Sequence, residues 1–129
     1  MIFTIDSADS RPIYIQIMDE VRRAIVVGSV SSDDPLPSVR QLAATLRVNP
    51  NTVSQAYREL ERDGVVEVRR GQGTYITNGR ATAADRRALA RDVAARAVRD
   101  AHRNGLDVAE LIQAIRSADL QPVKKVARA

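Results

Sequence analysis

The stretch LPSVRQLAATLRVNPNTVSQAYRELERDG, residues 36–64, decides the fold. Ser38 followed three residues on by Gln41 is a capping-box pattern, in which each side chain satisfies a backbone N–H left open at a helix start. Val39, Leu42, Ala43 and Leu46 then give a short helix one apolar face. Arg47-Val48 makes a turn, and Asn49-Pro50 restarts the helix, Asn as N-cap and Pro as first helical residue. Val53, Ala56, Tyr57 and Leu60 fall at i, i+3, i+4 and i+7. That spacing predicts a longer amphipathic helix to about Asp63, stopped by Gly64. A short helix and a tight turn hold such a helix proud of the surface. It is slim enough for a DNA major groove about 12 Å wide.

Upstream, Pro12 to Val27 reads as a helix with Ile13, Ile17, Val21, Ala24 and Ile25 on one face. Asp19, Glu20, Arg22 and Arg23 take the other face. Pro12 is expected in the first turn, and Gly28 ends the helix. Residues 29–37 are expected to be a linker, since Ser31-Ser32-Asp33-Asp34-Pro35 is turn composition. Downstream the period shifts from 3.6 toward 2. Val65 to Arg69 reads as a strand, Arg70-Gly71-Gln72-Gly73 as a turn and Thr74 to Thr77 as a second strand, closed by Asn78-Gly79.

From Ala81 the composition turns to Ala and Arg. Ala84 to His102 reads as a long helix with Leu89, Val93, Ala97 and Ala101 on one face. Asn104-Gly105 breaks it. Asp107 with Glu110 is a second capping-box pair, and Val108, Leu111, Ile112 and Ile115 line a last helix ending near Ala118. The tail from Gln121 is expected to be disordered. The fold class expected is mostly α with a small β-hairpin. A winged helix-turn-helix would span residues 1–79, and 80–129 would form a two-helix dimerisation and candidate effector segment.

Composition narrows the function classes. The chain has 129 residues, 44% of them hydrophobic and 3% aromatic, so its core is Ile, Leu, Val and Ala. Such a core is thin, and packing against a second copy would help it. The absence of cysteine excludes disulfides and thiolate metal sites. No apolar run approaches the roughly 20 residues of a membrane span, and the N-terminus has no signal-peptide pattern. A cytoplasmic protein with no membrane partner is expected.

His102 stands alone, with no second His and no Cys to share a metal. Asp33-Asp34 reads as a turn rather than an acid/base or metal pair. Gly71-Gln72-Gly73 leads into a strand, not a helix, so it is not a phosphate loop. With no nucleophile–base pair, metal spacing or nucleotide loop, neither enzyme activity nor a cofactor is expected.

Net charge is +4, yet its distribution does not mark the DNA-reading half. Residues 1–79 carry nine Arg and no Lys against ten acids, and residues 80–129 carry eleven basic residues against six acids. Between Pro37 and Gly79, however, six Arg outnumber four acids. Arg86, Arg87, Arg91, Arg96, Arg99 and Arg103 read as a solvated face interspersed with Asp85, Asp92 and Asp100. Extra DNA contact or an anionic ligand is the alternative there.

The candidate DNA-binding residues follow from place. N-terminal residues of a recognition helix point at base edges. Here these are Asn49, Asn51 and Thr52. Asn pairs bidentately with adenine, and Thr meets a thymine methyl or a phosphate. Ser54 and Gln55, one turn on, lie off the apolar face. At the wing, Arg70 supplies charge and the glycines allow close approach.

These blocks resemble the GntR family of bacterial transcriptional regulators. The resemblance rests on Pro12-Ile13-Tyr14-Ile15-Gln16-Ile17, Leu36-Pro37-Ser38-Val39-Arg40-Gln41-Leu42-Ala43, Asn51-Thr52-Val53-Ser54-Gln55-Ala56-Tyr57, Leu60-Glu61, Gly64 and Gly71-Gln72-Gly73-Thr74-Tyr75. It covers roughly residues 12–77. It implies a homodimer on double-stranded DNA at a palindromic operator, usually a repressor relieved by a small-molecule effector. It also implies DNA contacts for Arg40, for Asn49, Asn51 and Thr52, and a minor-groove contact for Gly71 beside Arg70.

Two departures stand out. Many members carry Pro-Gly where this chain has Ser32-Asp33, so a looser turn is expected. Many carry Ser-Arg or Thr-Arg where it has Asn49-Pro50, which removes a favoured guanine reader. The short remainder resembles the YtrA-like subgroup, whose tail mainly dimerises. A sequence-specific regulator is therefore the expectation. The alternative is a winged-helix protein–protein interaction module without DNA binding.

Overall fold

Helix α1 (Ile13–Val26) buries Ile17, Val21, Ala24 and Ile25 as the spacing requires, and Met18 joins them. Three details differ from the sequence reading. Pro12 is the N-cap, with extended ψ of 147°, rather than a residue of the first turn. Ile13 is 38% exposed at the helix start. Glu20, expected on the solvent side, is buried because residues 4–6 fold back over that face. There Thr4 N–H donates to Glu20 Oε2 at 3.2 Å and Asp6 N–H donates to Gln16 Oε1 at 2.9 Å.

Helix α2 (Val39–Leu46) starts with the expected capping box. Gln41 N–H donates to Ser38 Oγ at 3.1 Å and Ser38 N–H donates to Gln41 Oε1 at 3.0 Å. Arg47 ends the helix in the left-handed region (φ 57°), and Val48 N–H reaches back to the Ala43 carbonyl at 3.0 Å. Asn49 caps helix α3 (Pro50–Arg62), its Oδ1 accepting from Asn51 N–H at 2.8 Å. Val53, Ala56, Tyr57 and Leu60 are all buried, and α3 packs on α1, α2 and strand β1 (Val66–Arg69).

Strand β1 pairs antiparallel with β2 (Gly73–Ile76), with Val66 opposite Ile76 and Arg69 opposite Gly73. Val66 and Ile76 face the core. Glu67, Arg69 and Tyr75 therefore share the outer face, because successive side chains alternate. The expected turn of 70–73 is shorter, since Gly73 already belongs to β2. Gly71 (φ 72°) and Gly73 (φ 126°) supply backbone angles that other residues adopt only with strain.

The segment 29–37 is not a free linker. Asp33 N–H donates to Ile76 O, Ile76 N–H to Asp34 O and Leu36 N–H to Thr74 O, each at 2.8 Å. Pro35 bridges Tyr75, so this connector lies along the outer edge of β2 like a third strand. Nor is its turn loose. Asp33 takes the left-handed angle (φ 69°), and Ser31 N–H donates to Asp34 Oδ2 at 2.8 Å. The backbone satisfies itself on the open edge of the wing, which composition alone did not reveal.

Helix α4 (Ala83–Arg103) begins with a reciprocal pair not foreseen, Thr82 with Asp85 at 2.9 and 3.0 Å. Of its expected face Leu89, Val93, Ala97 and Ala101, only Ala101 is buried, and Val93 is 59% exposed. Helix α5 (Val108–Ala118) begins with the expected Asp107–Glu110 pair, at 2.8 and 3.1 Å. Val108, Ile112 and Ile115 are exposed, with Leu111 half-buried.

The computed structural model describes residues 3–118, so the expected disordered tail lies outside the described residues. The chain divides into two units, Met1–Leu89 and Ala90–Ala129, with α4 running through the boundary. Among the described residues, five helices and a two-stranded hairpin give the mostly α, winged helix-turn-helix architecture that the sequence pattern predicts. No helix among the described residues is long and apolar enough to cross a membrane.

Candidate nucleic-acid interface

The buried residues of α3 define its opposite face. At 100° per residue, Asn51, Gln55, Arg58 and Arg62 lie opposite Val53, Ala56, Tyr57 and Leu60, and all four are exposed. Thr52 and Ser54 flank this stripe and are half-buried. The sequence reading named Asn51, Thr52, Ser54 and Gln55 but missed Arg58. The signal was available, because Arg58 follows Asn51 by seven residues and so repeats its direction.

Asn49 has another task. Its Oδ1 accepts from Asn51 N–H, which holds the side chain at the helix start while the amide NH2 and a second oxygen lone pair stay available. Asn51, the exposed second residue of the helix, also has its side-chain amide donor and acceptor available.

Arg40 is the second residue of α2 and is exposed. Arg70 and Gly71 stand at the exposed wing tip. An open groove of about 600 Å³ separates the start of α2 from the wing, lined by Ser38, Val39, Gln41, Val68, Arg70 and Thr74 among others.

The arginines of this region fall into two groups. Arg62 pairs with Glu59, and Arg69 pairs with Glu67 (2.7 Å) and Asp33 (2.5 Å). Its hydrogen bonds to the Glu67 and Asp33 carboxylates push the Arg69 guanidinium further into its charged form. Arg40, Arg47, Arg58 and Arg70 make no ion pair among the described residues. Unpaired cations beside an exposed polar helix face suit a polyanion.

Below the surface, Tyr57 is buried and donates from its hydroxyl to the Pro37 carbonyl at 2.7 Å. Desolvation raises its pKa well above the ordinary 10.0. It is a core residue, as its place on the apolar face of α3 predicts, and its hydroxyl ties α3 to the start of α2. Arg22 on α1 pairs with Asp63, the C-cap of α3, at 2.6 Å, and so holds the other end of that helix. No group of His, Cys, Asp and Glu side chains able to hold a metal occurs among the described residues.

A helix-turn-helix with a β-hairpin wing, its recognition helix capped, anchored at both ends and polar outward, defines the class: a winged helix-turn-helix transcriptional regulator. The family model for bacterial regulatory proteins of the gntR family matches residues 13–76. The helix-turn-helix transcriptional repressor YtrA of Bacillus subtilis is 40% identical over 125 residues, covering 94% of this chain and 96% of that protein. Among solved structures, a GntR-family transcriptional regulator from Listeria monocytogenes superposes with a TM-score of 0.62 at 32% identity, covering 88% and 98% of the two chains. The GntR-family transcription factor YtrA from Sulfolobus acidocaldarius gives 0.55 at 34% identity, covering 75% and 97%. The chain belongs to the GntR family of bacterial transcriptional regulators, and it is a regulator rather than an enzyme.

Proposed function

We propose that the protein binds double-stranded DNA sequence-specifically as a homodimer on a palindromic operator, represses transcription in the cytoplasm, and is released by a small-molecule effector. The observation that carries the DNA reading is the unpartnered set Arg40, Asn51, Gln55, Arg58 and Arg70, presented by α2, α3 and the wing of one unit. In this reading Asn51 and Gln55 meet base edges, Thr52 and Ser54 meet the rim of the groove, and Asn49 orients the helix start. Arg40 takes a backbone phosphate, and Arg70 with Gly71 takes the wing contact.

Dimerisation is supported by the apolar face of Val108, Ile112 and Ile115, which the chain leaves exposed. The similarity to a protein named a transcriptional repressor supports repression.

The test is selection of bound duplexes from a randomised pool with the full chain. Anisotropy titration of the winner and a scrambled duplex at two salt concentrations follows. Selective binding that weakens with salt, and a dimeric mass in sedimentation, are expected. Binding to neither duplex would instead favour the protein-interaction reading.

A further inference from the structure

The wing carries two adjacent arginines, and the structure treats them differently. Arg70 is exposed at the tip. Arg69 lies on the outer face of the sheet, with its guanidinium carbon 4.1 Å from the centre of the Tyr75 ring. Its Nε donates to Glu67 Oε1 at 2.8 Å and its Nη2 to Asp33 Oδ1 at 2.5 Å. Glu67 and Arg69 belong to β1, Tyr75 to β2 and Asp33 to the connector along the far edge of β2. One side chain thus spans all three strands and stacks on the middle one.

The connector end of this span is itself constrained. Asp33 holds φ 69° while its N–H donates to Ile76 O. The Asp33 side chain is 76% exposed, so this ion pair adds little to stability. What the span does supply is geometry, because two carboxylate partners and a ring beneath it restrict the orientation of the planar guanidinium.

We propose that Arg69 is a positioning residue. With Asp33, Glu67 and Tyr75 it forms a clamp across the outer face of the wing that sets where Arg70 and Gly71 stand relative to α3, and it does not itself touch DNA. The proposal rests on the DNA-binding reading above.

Simple electrostatics and the clamp make opposite statements about Asp33. Removing an acid beside a DNA-binding surface ordinarily tightens binding, because it removes repulsion of phosphate. If Asp33 instead holds the clamp, removing its charge loosens the wing and weakens binding. Asn tolerates the left-handed backbone angle, so Asp33→Asn leaves the turn intact.

The experiment measures affinity of the full chain for the duplex that the wild type selects from a randomised pool, across a salt series. Asp33→Asn, Arg69→Gln and Arg70→Ala are compared with wild type, each checked by thermal melting. Asp33→Asn and Arg69→Gln should each weaken binding about two- to fivefold with the slope of log affinity against log salt unchanged. Arg70→Ala should weaken binding and also lower that slope by about one. Tighter or equal binding by Asp33→Asn would overturn the clamp. So would a lowered slope in Arg69→Gln, which would make Arg69 a phosphate contact. A wild type that selects no sequence would overturn the DNA reading itself, a result distinct from both.

Discussion

The hydroxyl of Tyr57, in the middle of the recognition helix, donates a 2.7 Å hydrogen bond to the carbonyl of Pro37, just before the cap of α2. The bond joins the two helices of the reading head through a part-buried polar pair. Tyr57→Phe should cost about 1 kcal/mol in chemical denaturation, since it leaves the Pro37 carbonyl unpartnered while keeping the ring. There is also a pH signature. Burial raises the Tyr57 pKa in the folded state above the ordinary 10.0, so the folded chain holds a proton that the unfolded chain releases. That stability is complete below pH 10 and declines as pH rises beyond it. The decline should be shallower in Tyr57→Phe.

Asn49 and Asn51 separate stability from recognition. Asn49→Ala should cost about 1 kcal/mol of stability through loss of the cap, while Asn49→Asp keeps an acceptor and should melt like wild type. Asn51→Ala should leave melting nearly unchanged and weaken operator binding by about 1–3 kcal/mol. Melting curves beside anisotropy titrations check both.

Arg47 sits at φ 57° in the turn between α2 and α3, where its side chain is exposed and its backbone strained. Arg47→Gly should raise stability by up to about 1 kcal/mol. In the DNA reading it should also remove one cation and weaken binding, so the two effects have opposite signs. Urea denaturation and a salt-dependent titration on the same sample measure them.

Gly79 packs against the connector so closely that a Cβ would lie 2.6–2.9 Å from backbone atoms of Ser31 and Ser32. Its N–H also donates to Ser32 Oγ at 2.9 Å. Gly79→Ala must push the two segments apart and should cost about 1–3 kcal/mol. Amide exchange should speed up at Asp33 and Leu36, whose N–H groups bond to β2.

Ile112 and Ile115 are exposed in the single chain, so replacing them costs its fold little. If they meet a second copy, Ile115→Glu should give a monomer in sedimentation with an unchanged circular dichroism spectrum. An unchanged dimer would remove α5 from the proposed interface.

Much of this protein follows from sequence because its signals are local. Ser38 with Gln41, Asn49 with Pro50 and Asp107 with Glu110 announce helix starts through bonds only two or three residues long. The apolar spacing of α3 fixes its buried face, and the opposite stripe, including the overlooked Arg58, follows by subtraction. Tertiary structure decided what depends on partners distant in the chain. Asp33 and Arg69 are 36 residues apart, and neither composition nor period hints that they meet. The same holds for the connector that pairs with β2 and for Glu20 buried under residues 4–6. Periodicity records which side of an element is apolar, whereas a polar side chain's role is set by the donor or acceptor that the fold brings to it.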